Sequence, residues 1–334
     1  AAVYNDQGVL IEKAEKAVDG AIKRGVPEEV ASKIFDDMES FAKYAFNKSH
    51  AAAYAVLAYE TAYMKRYYLV ELVAAVINDR ITKADEIAKY LTFLREKGKE
   101  VLPPDINKSD TIFRAKDNSI RFGLNGIKGV GANAMELLVK ERQENGEYKS
   151  IGDMLYRLPA GTINKRIFEA LIKAGAFDCF GINRATLMAN FEEMINIANF
   201  LKKSQASGQL TFGMLFGDES AEIDNVVKPI AEFNKMQKYI FEKEVLNIYM
   251  TGHPLEEYKE SFKKFDFNLS MIADLLQPAE EESGDEEQGV SERDELLKEY
   301  VDKTVVLGGM MSGIKKKVTK SAKLTASAVL EDLY

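Results

Sequence analysis

Apolar residues recur every three to four positions through most of residues 9–101, a spacing that predicts consecutive helices. Leu10, Ala14, Ala17 and Ala21 keep the period until Gly25 stops it, and Pro27 suits the first turn of the next helix. Val30, Ile34, Met38 and Phe41 line that second helix. Ser49 is placed to cap a longer third one, with Tyr54, Leu57, Thr61, Met64, Tyr68 and Leu72 along one side. Ala84–Lys97 reads as a further helix closed by Gly98. These apolar stripes are expected to be core.

Pro103-Pro104 breaks the helical period, and Ile112–Arg114 with Ser119–Gly123 reads as a short strand pair. A glycine turn, Gly126–Gly131, then opens a helix-like run, Ala132–Arg142. A second unit follows: Ile163–Lys173, the turn Ala174-Gly175-Ala176, and Arg184–Ile197. Two such units in a row are the pattern of a paired helix-hairpin-helix module. Ser204–Asp218 reads as a flexible peptide, and Ile230–Tyr249 returns to helix before Thr251-Gly252-His253-Pro254. Thr304–Leu333 alternates like strands: Val305-Val306-Leu307, a glycine pair, Ile314, a turn region at Lys315-Lys316-Lys317, then Ala328-Val329-Leu330. The fold class expected is mainly α with a partial β segment at the C-terminus.

The chemistry concentrates in Gly126-Ile127-Lys128-Gly129-Val130-Gly131. Alternating glycines before a helix make a tight turn that presents consecutive backbone N–H groups, which suits a phosphate oxygen, and Lys128 adds a mobile positive charge. The same pattern also fits a glycine-closed helix junction. With no catalytic group in the stretch, it reads as a grip on a phosphodiester backbone rather than a reaction centre.

Composition narrows the alternatives. At 334 residues the chain has room for two or more domains. Cys179 is the single cysteine, so an intramolecular disulfide framework is excluded; between two aromatics it reads as a small core residue. His50 and His253 are the only histidines, which excludes a three-histidine metal site, and His253, before a proline, is expected to order the backbone. No signal segment is evident and no run of about 20 apolar residues is present, so a soluble, cytoplasmic protein without membrane contact is expected. The formal charge of −8 argues against nucleic acid only until it is located. Between Ala279 and Glu295 stand nine acids against Arg293 alone, which accounts for the whole excess and leaves the remainder neutral. That segment reads as a solvated linker.

Phe46-Asn47-Lys48-Ser49-His50-Ala51-Ala52-Ala53-Tyr54, Leu102-Pro103-Pro104-Asp105-Ile106-Asn107, Arg121-Phe122-Gly123-Leu124, Gly126–Gly131, Ala170–Asp178 and Thr251–Leu255 occur in one order. In that order they resemble the bacterial DNA polymerase III alpha subunits, the C-family replicative polymerases, from about Gly20 onward. The resemblance implies a C-terminal portion of such a subunit: helical fingers (1–102), a tandem helix-hairpin-helix domain (103–200), a clamp-binding segment (201–222), a helical connector (223–278), the acidic linker (279–302) and the start of an OB-fold (303–334). It implies template-directed DNA synthesis by the whole subunit, with Mg2+ bound by palm aspartates that this chain lacks, so no catalytic or metal-binding residue is assigned and the chain alone is expected to be inactive. Incoming-nucleotide contacts are implied for Asn47, Lys48, Ser49, His50 and Tyr54, whose charge, hydroxyl and helix-start position suit a triphosphate. Duplex-backbone contacts fall to Gly126, Lys128, Gly129, Val130 and Gly131, and in the second turn to Lys173 and Gly175.

The sliding clamp (the beta subunit) is the implied partner of Gln209, Leu210, Phe212, Leu215 and Phe216, an extended peptide with a glutamine and apolar anchors in irregular spacing; a self-packing loop is the other reading. The remaining implied partners are primer-template DNA, a deoxynucleoside triphosphate and other replisome subunits. Lys315, Lys316, Lys317 and Lys320 fit either an OB-fold's single-strand groove or a solvated basic hairpin. A non-catalytic DNA-binding and clamp-tethering module is the alternative to a polymerase part.

Overall fold

The computed structural model describes residues 20–43, 48–206, 219–265, 267–269, 271–272, 300, 303–318 and 324–332. Chain contacts divide it into two compact units, Ala1–Leu72 and Val73–Tyr334, a division thirty residues before the end of the expected fingers region at 102. The acidic linker, save Tyr300, and the clamp-binding residues from Gln209 to Phe216 lie outside the described residues.

In the first unit, helix α1 spans Glu28–Lys43 and α2 spans Lys48–Tyr67. Gly25 supplies the left-handed turn (φ 89°) ahead of Pro27, as the sequence suggests. The stripes read as core do not end up there. Val30, Ile34 and Met38 are exposed, and so are Tyr54 and Leu57; α2 buries no residue at all. Periodicity reports that a helix has an apolar face, not that the face finds cover, and in α2 a second stripe (Tyr59, Tyr63, Tyr67) spreads the apolar surface around the helix.

The second unit carries the dense core. Helix α3 (Leu69–Asp79) leads into it, and α4 (Ala84–Glu96) buries Ile87, Leu91 and Leu94. α4 ends where Gly98 turns left-handed (φ 68°), and it packs on β1 (Glu100–Leu102). β2 (Arg114–Lys116) and β3 (Ser119–Arg121) form an antiparallel hairpin around Asp117 and Asn118, both at positive φ as a tight two-residue turn requires. β1 pairs with β3 in parallel, Val101 opposite Ile120, giving the order β1-β3-β2; the sequence reading had no place for this third strand. The Asn78 amide closes the edge, donating to the Phe113 carbonyl and accepting from the Phe113 N–H, both at 2.9 Å.

Helix α5 (Ala132–Asn145) is tied to the Pro-Pro-Asp-Ile-Asn loop by Arg142, which donates to the carbonyls of Ile106 (2.6 Å) and Ser109 (2.8 Å). α6 (Ile151–Arg157), α7 (Lys165–Ala174), α8 (Arg184–Ala206), α9 (Glu219–Asp224) and α10 (Lys235–Leu246) pack together: α6 and α9 on α8 and on each other, α7 on α8 and α10. The helix expected over Ile230–Tyr249 is thus shorter, because Asn234 caps it by accepting from the Gln237 N–H and Asn247 ends it in the left-handed region. A short helix, α11 (Lys259–Phe262), follows.

At the C-terminus β4 (Met310–Val318) and β5 (Leu324–Glu331) form an antiparallel pair, irregular between Ser312 and Lys315 where Gly313 takes a positive φ. Lys315, Lys316 and Lys317 therefore lie inside a strand, opposite Ser327, Ala326 and Thr325, and not in the turn region expected of them. Val305-Val306-Leu307 is not strand. Cys179, expected in the core, is exposed; partial burial of the thiol and the nearby Asp105 push its pKa up to about 11.

Candidate nucleic-acid interface

The glycine turn grows out of a 3-10 turn at Leu124–Gly126 and runs straight into α5. Its first half faces the protein. The Gly126 N–H donates to the Gly123 carbonyl (3.0 Å), the Ile127 N–H to Leu124 (3.2 Å) and the Lys128 N–H to Val245 (2.8 Å). Gly126 is a glycine for packing: a Cβ there would come within 2.9 Å of the Phe113 and Phe122 rings, themselves 4.7 Å apart. Its assignment as a phosphate contact is therefore corrected to a structural role.

The second half differs. The N–H groups of Gly129, Val130 and Gly131 have no hydrogen-bond partner among the described residues, and the first α5 amide bonded back is that of Ala134, to the Gly131 carbonyl. Gly129 sits at φ 94°, which L residues rarely adopt, and this turns the chain so that Gly131 becomes the N-cap of a 14-residue helix with no side-chain cap. The positive end of the α5 dipole and three unbonded amides thus coincide. Next to them Lys128 is exposed, its ammonium donating to Asn247 Oδ1 at 2.8 Å.

A shallow concavity of about 230 Å3 runs from this turn along α7, lined by Lys128, Gly129, Arg166, Glu169, Lys173 and Glu244. Arg166 Nε lies 3.6 Å from where a Gly129 Cβ would stand, and Arg166 makes no ion pair among the described residues. The sequence reading missed it, since only the packing of α7 against the turn brings it near. Lys173 is close as well, but its Nζ is held by Glu244 (2.8 Å) and Glu169 (2.9 Å) over the Phe241 ring. Burial opposes its charge, yet these two carboxylates raise its pKa, so it is a neutralised cation.

The turn at 174–176 is also a correction. Gly175 is the left-handed C-cap of α7, its N–H donating to Ile172 and that of Ala176 to Leu171, so both amides are used inside the protein. A Cβ on Gly175 would lie 2.2 Å from Arg184 Nη2, so its glycine is required by packing. The two helices flanking this turn, α7 and α8, do pack on each other as expected; a further turn, residues 158–164 between α6 and α7, has Gly161 at φ 81° and Asn164 capping α7 through the Ile167 N–H (3.0 Å). Its signals in sequence were Ser150-x-x-Asp153, which begins α6 with Ser150 Oγ accepting from the Asp153 N–H (3.0 Å), and the Pro159-Ala160-Gly161 break. Lys202 reaches from α8 to the carbonyls of Leu155 and Leu158 and closes α6 from behind, and its burial lowers its pKa.

Residues 98–187 match the helix-hairpin-helix motif family, a range that contains the turns at 126–131, 158–164 and 174–176. DNA polymerase III subunit alpha of Thermus aquaticus is 37% identical over 319 residues, covering 95% of this chain and 24% of that protein. The chain belongs to the family of DNA polymerase III alpha subunits. The alpha subunit of Borreliella burgdorferi is 38% identical over 257 residues (77% of this chain, 22% of the relative), and that of Deinococcus radiodurans 34% over 321 residues (94% and 22%). The chain spans about a quarter of the length of the curated relatives it matches. Among its described residues no helix is long and apolar enough to cross a membrane.

In the first unit, Lys48, Ser49 and His50 open α2 and are exposed, and the His50 ring lies 4.4 Å from that of Tyr54 one turn on. Ser49 and His50 hold interactions of their own. Asn47 lies outside the described residues. His253 orders its own turn: Nδ1 accepts the Leu255 N–H at 3.1 Å, the ring stands edge-on to Tyr249 at 4.9 Å, and burial lowers its pKa.

Proposed function

We propose that this chain is the part of a replicative DNA polymerase that holds duplex DNA by its phosphate backbone, without reading sequence, while the polymerase extends a primer. The observation that carries this reading is the set of unbonded amides at Gly129, Val130 and Gly131, at the head of α5 and beside Lys128 and Arg166. Backbone amides and helix termini contact phosphate and fix register, but carry no base information. The relatives' name supports a polymerase, and the helix-hairpin-helix match supports DNA binding. Positioning and charge neutralisation supply most of the catalysis in phosphoryl transfer, and this chain would contribute the positioning.

Within this reading Lys48, Ser49, His50 and Tyr54, with Asn47, contact the triphosphate of the incoming nucleotide, supported for Lys48, Ser49 and His50 by their place at an exposed helix start, for Tyr54 by its ring beside that of His50, and for Asn47 by sequence alone. Gln209, Leu210, Phe212, Leu215 and Phe216 attach the sliding clamp, supported by sequence alone. Mg2+ would act elsewhere in the full-length enzyme, and no step is assigned to it here.

The test is duplex binding by the full chain, followed by anisotropy of labelled DNAs of unrelated sequence over a salt series. Gly131→Val is the informative variant. A Cβ at Gly131 meets nothing within 4 Å and its φ of −93° suits any residue, so the fold tolerates the change while the side chain covers the amides. Binding should weaken equally for all sequences, and Arg166→Ala should also lower the salt slope by about 0.9. Unchanged binding in both variants overturns the reading.

A further inference from the structure

The cations around the glycine turn are not held alike. Lys173 lies between two carboxylates and Lys165 is paired with Glu192 at 2.6 Å. Lys128 is fixed by a neutral group: its Nζ donates to Asn247 Oδ1 at 2.8 Å. An ammonium has three donors, so this bond occupies one and leaves the others for phosphate, with the charge intact.

Asn247 is itself built to stay in place. It terminates α10 at φ 64°, a conformation asparagine tolerates better than most residues, with its N–H donating to the Lys243 carbonyl at 3.1 Å. Its Nδ2 donates to Asp85 Oδ1 at 2.7 Å, which fixes which end of the amide faces Lys128. Two residues earlier, the Val245 carbonyl takes the Lys128 N–H at 2.8 Å. The end of α10 thus holds both the backbone and the side chain of Lys128.

We propose that Asn247 is a positioning residue for the phosphate-gripping turn, holding the Lys128 ammonium in its binding pose through a neutral bridge anchored on Asp85. This rests on the reading that the turn grips duplex phosphates, and it adds a residue 119 positions away in sequence. A lysine fixed beforehand loses less rotamer freedom on binding, so releasing it should weaken affinity without removing its charge.

Duplex affinity of the full chain, measured against salt with a short labelled DNA, tests it. Asn247→Gly keeps the left-handed backbone and deletes the bridge; affinity should fall about twofold to tenfold with the salt slope unchanged. Asn247→Asp breaks the bond to Asp85, since a carboxylate cannot donate, but sets a negative charge beside the Lys128 ammonium, and the slope should fall by about 0.9 as Lys128 is neutralised. Asp85→Ala should give a smaller loss in the same direction as Asn247→Gly. Lys128→Ala should weaken wild-type binding, and Asn247→Gly should add little to Lys128→Ala, since Asn247 then has no ammonium to hold. Full additivity of those two, or wild-type affinity in Asn247→Gly while Lys128→Ala weakens binding, overturns the positioning role and leaves the turn's role standing. Wild-type binding in Lys128→Ala and in Gly131→Val together overturns both.

Discussion

Glu242 is fully buried in α10, and replacing it by glutamine isolates one charge in the core. Its Oε1 accepts from Arg184 Nη1 (3.0 Å) and Thr251 Oγ1 (2.8 Å), and Oε2 accepts from the N–H groups of Met250 and Thr251 (both 2.9 Å). Arg184 is nearly as buried and also bridges to Asp178 at 2.7 Å and to the Lys173 carbonyl at 3.3 Å. One carboxylate thus joins α10, the start of α8, the end of α7 and the Thr-Gly-His-Pro turn. Glutamine fills the same volume but has one acceptor oxygen. Whichever way the amide turns, its NH2 faces donors, and Arg184 loses its fully buried counter-charge. Breaking a buried pair at one partner costs about 3–5 kcal/mol. With urea m-values of about 1–3 kcal/mol/M, the midpoint of the transition involving these helices should fall by at least about 1 M. Urea unfolding followed by far-UV circular dichroism reads the shift. A loss below about 1 kcal/mol would refute the claim that this pair locks the helices around the glycine turn.

Two further outcomes follow from the titratable groups. His253 must be neutral at Nδ1 to accept the Leu255 N–H, and its folded pKa lies below the unfolded value of 6.5, so the unfolded chain takes up the proton first. Stability should be complete above that value and fall as pH drops from it towards the folded pKa; denaturant midpoints across this window should lose that slope in His253→Asn, and a slope unchanged by the substitution contradicts the assignment. Cys179 is exposed, but its pKa of about 11 keeps it as the thiol, so iodoacetamide at pH 8 should modify it many times more slowly than a free cysteine, and equal rates would contradict the burial of its sulfur.

Local chemistry was legible and long-range chemistry was not. The helix at Ala84–Glu96, the hairpin at Arg114–Arg121 and the glycine turn before Ala132 follow from periodicity, turn residues and caps within a few positions of themselves. β1 is three residues long and is a strand only because β3 comes to lie beside it. The unit α7–turn–α8 carries a glycine between two long helical patterns and was read, whereas α6 is only seven residues long, gives almost no periodic signal and was not. Arg166 and Asn247 were invisible as site residues for one reason: packing of α7 and α10 against the turn, and no spacing in the chain, brings them there. The exposed face of α2 shows the converse, a strong apolar pattern with no local cover.

The backbone N–H groups at the turn can be observed directly. On titration of the isotope-labelled chain with a DNA duplex, the amide resonances of Gly129, Val130 and Gly131 should shift, and those of Gly175 and Ala176, bonded within the protein, should stay in place. Shifts at Gly175 and Ala176 with Gly129, Val130 and Gly131 unmoved would contradict the account.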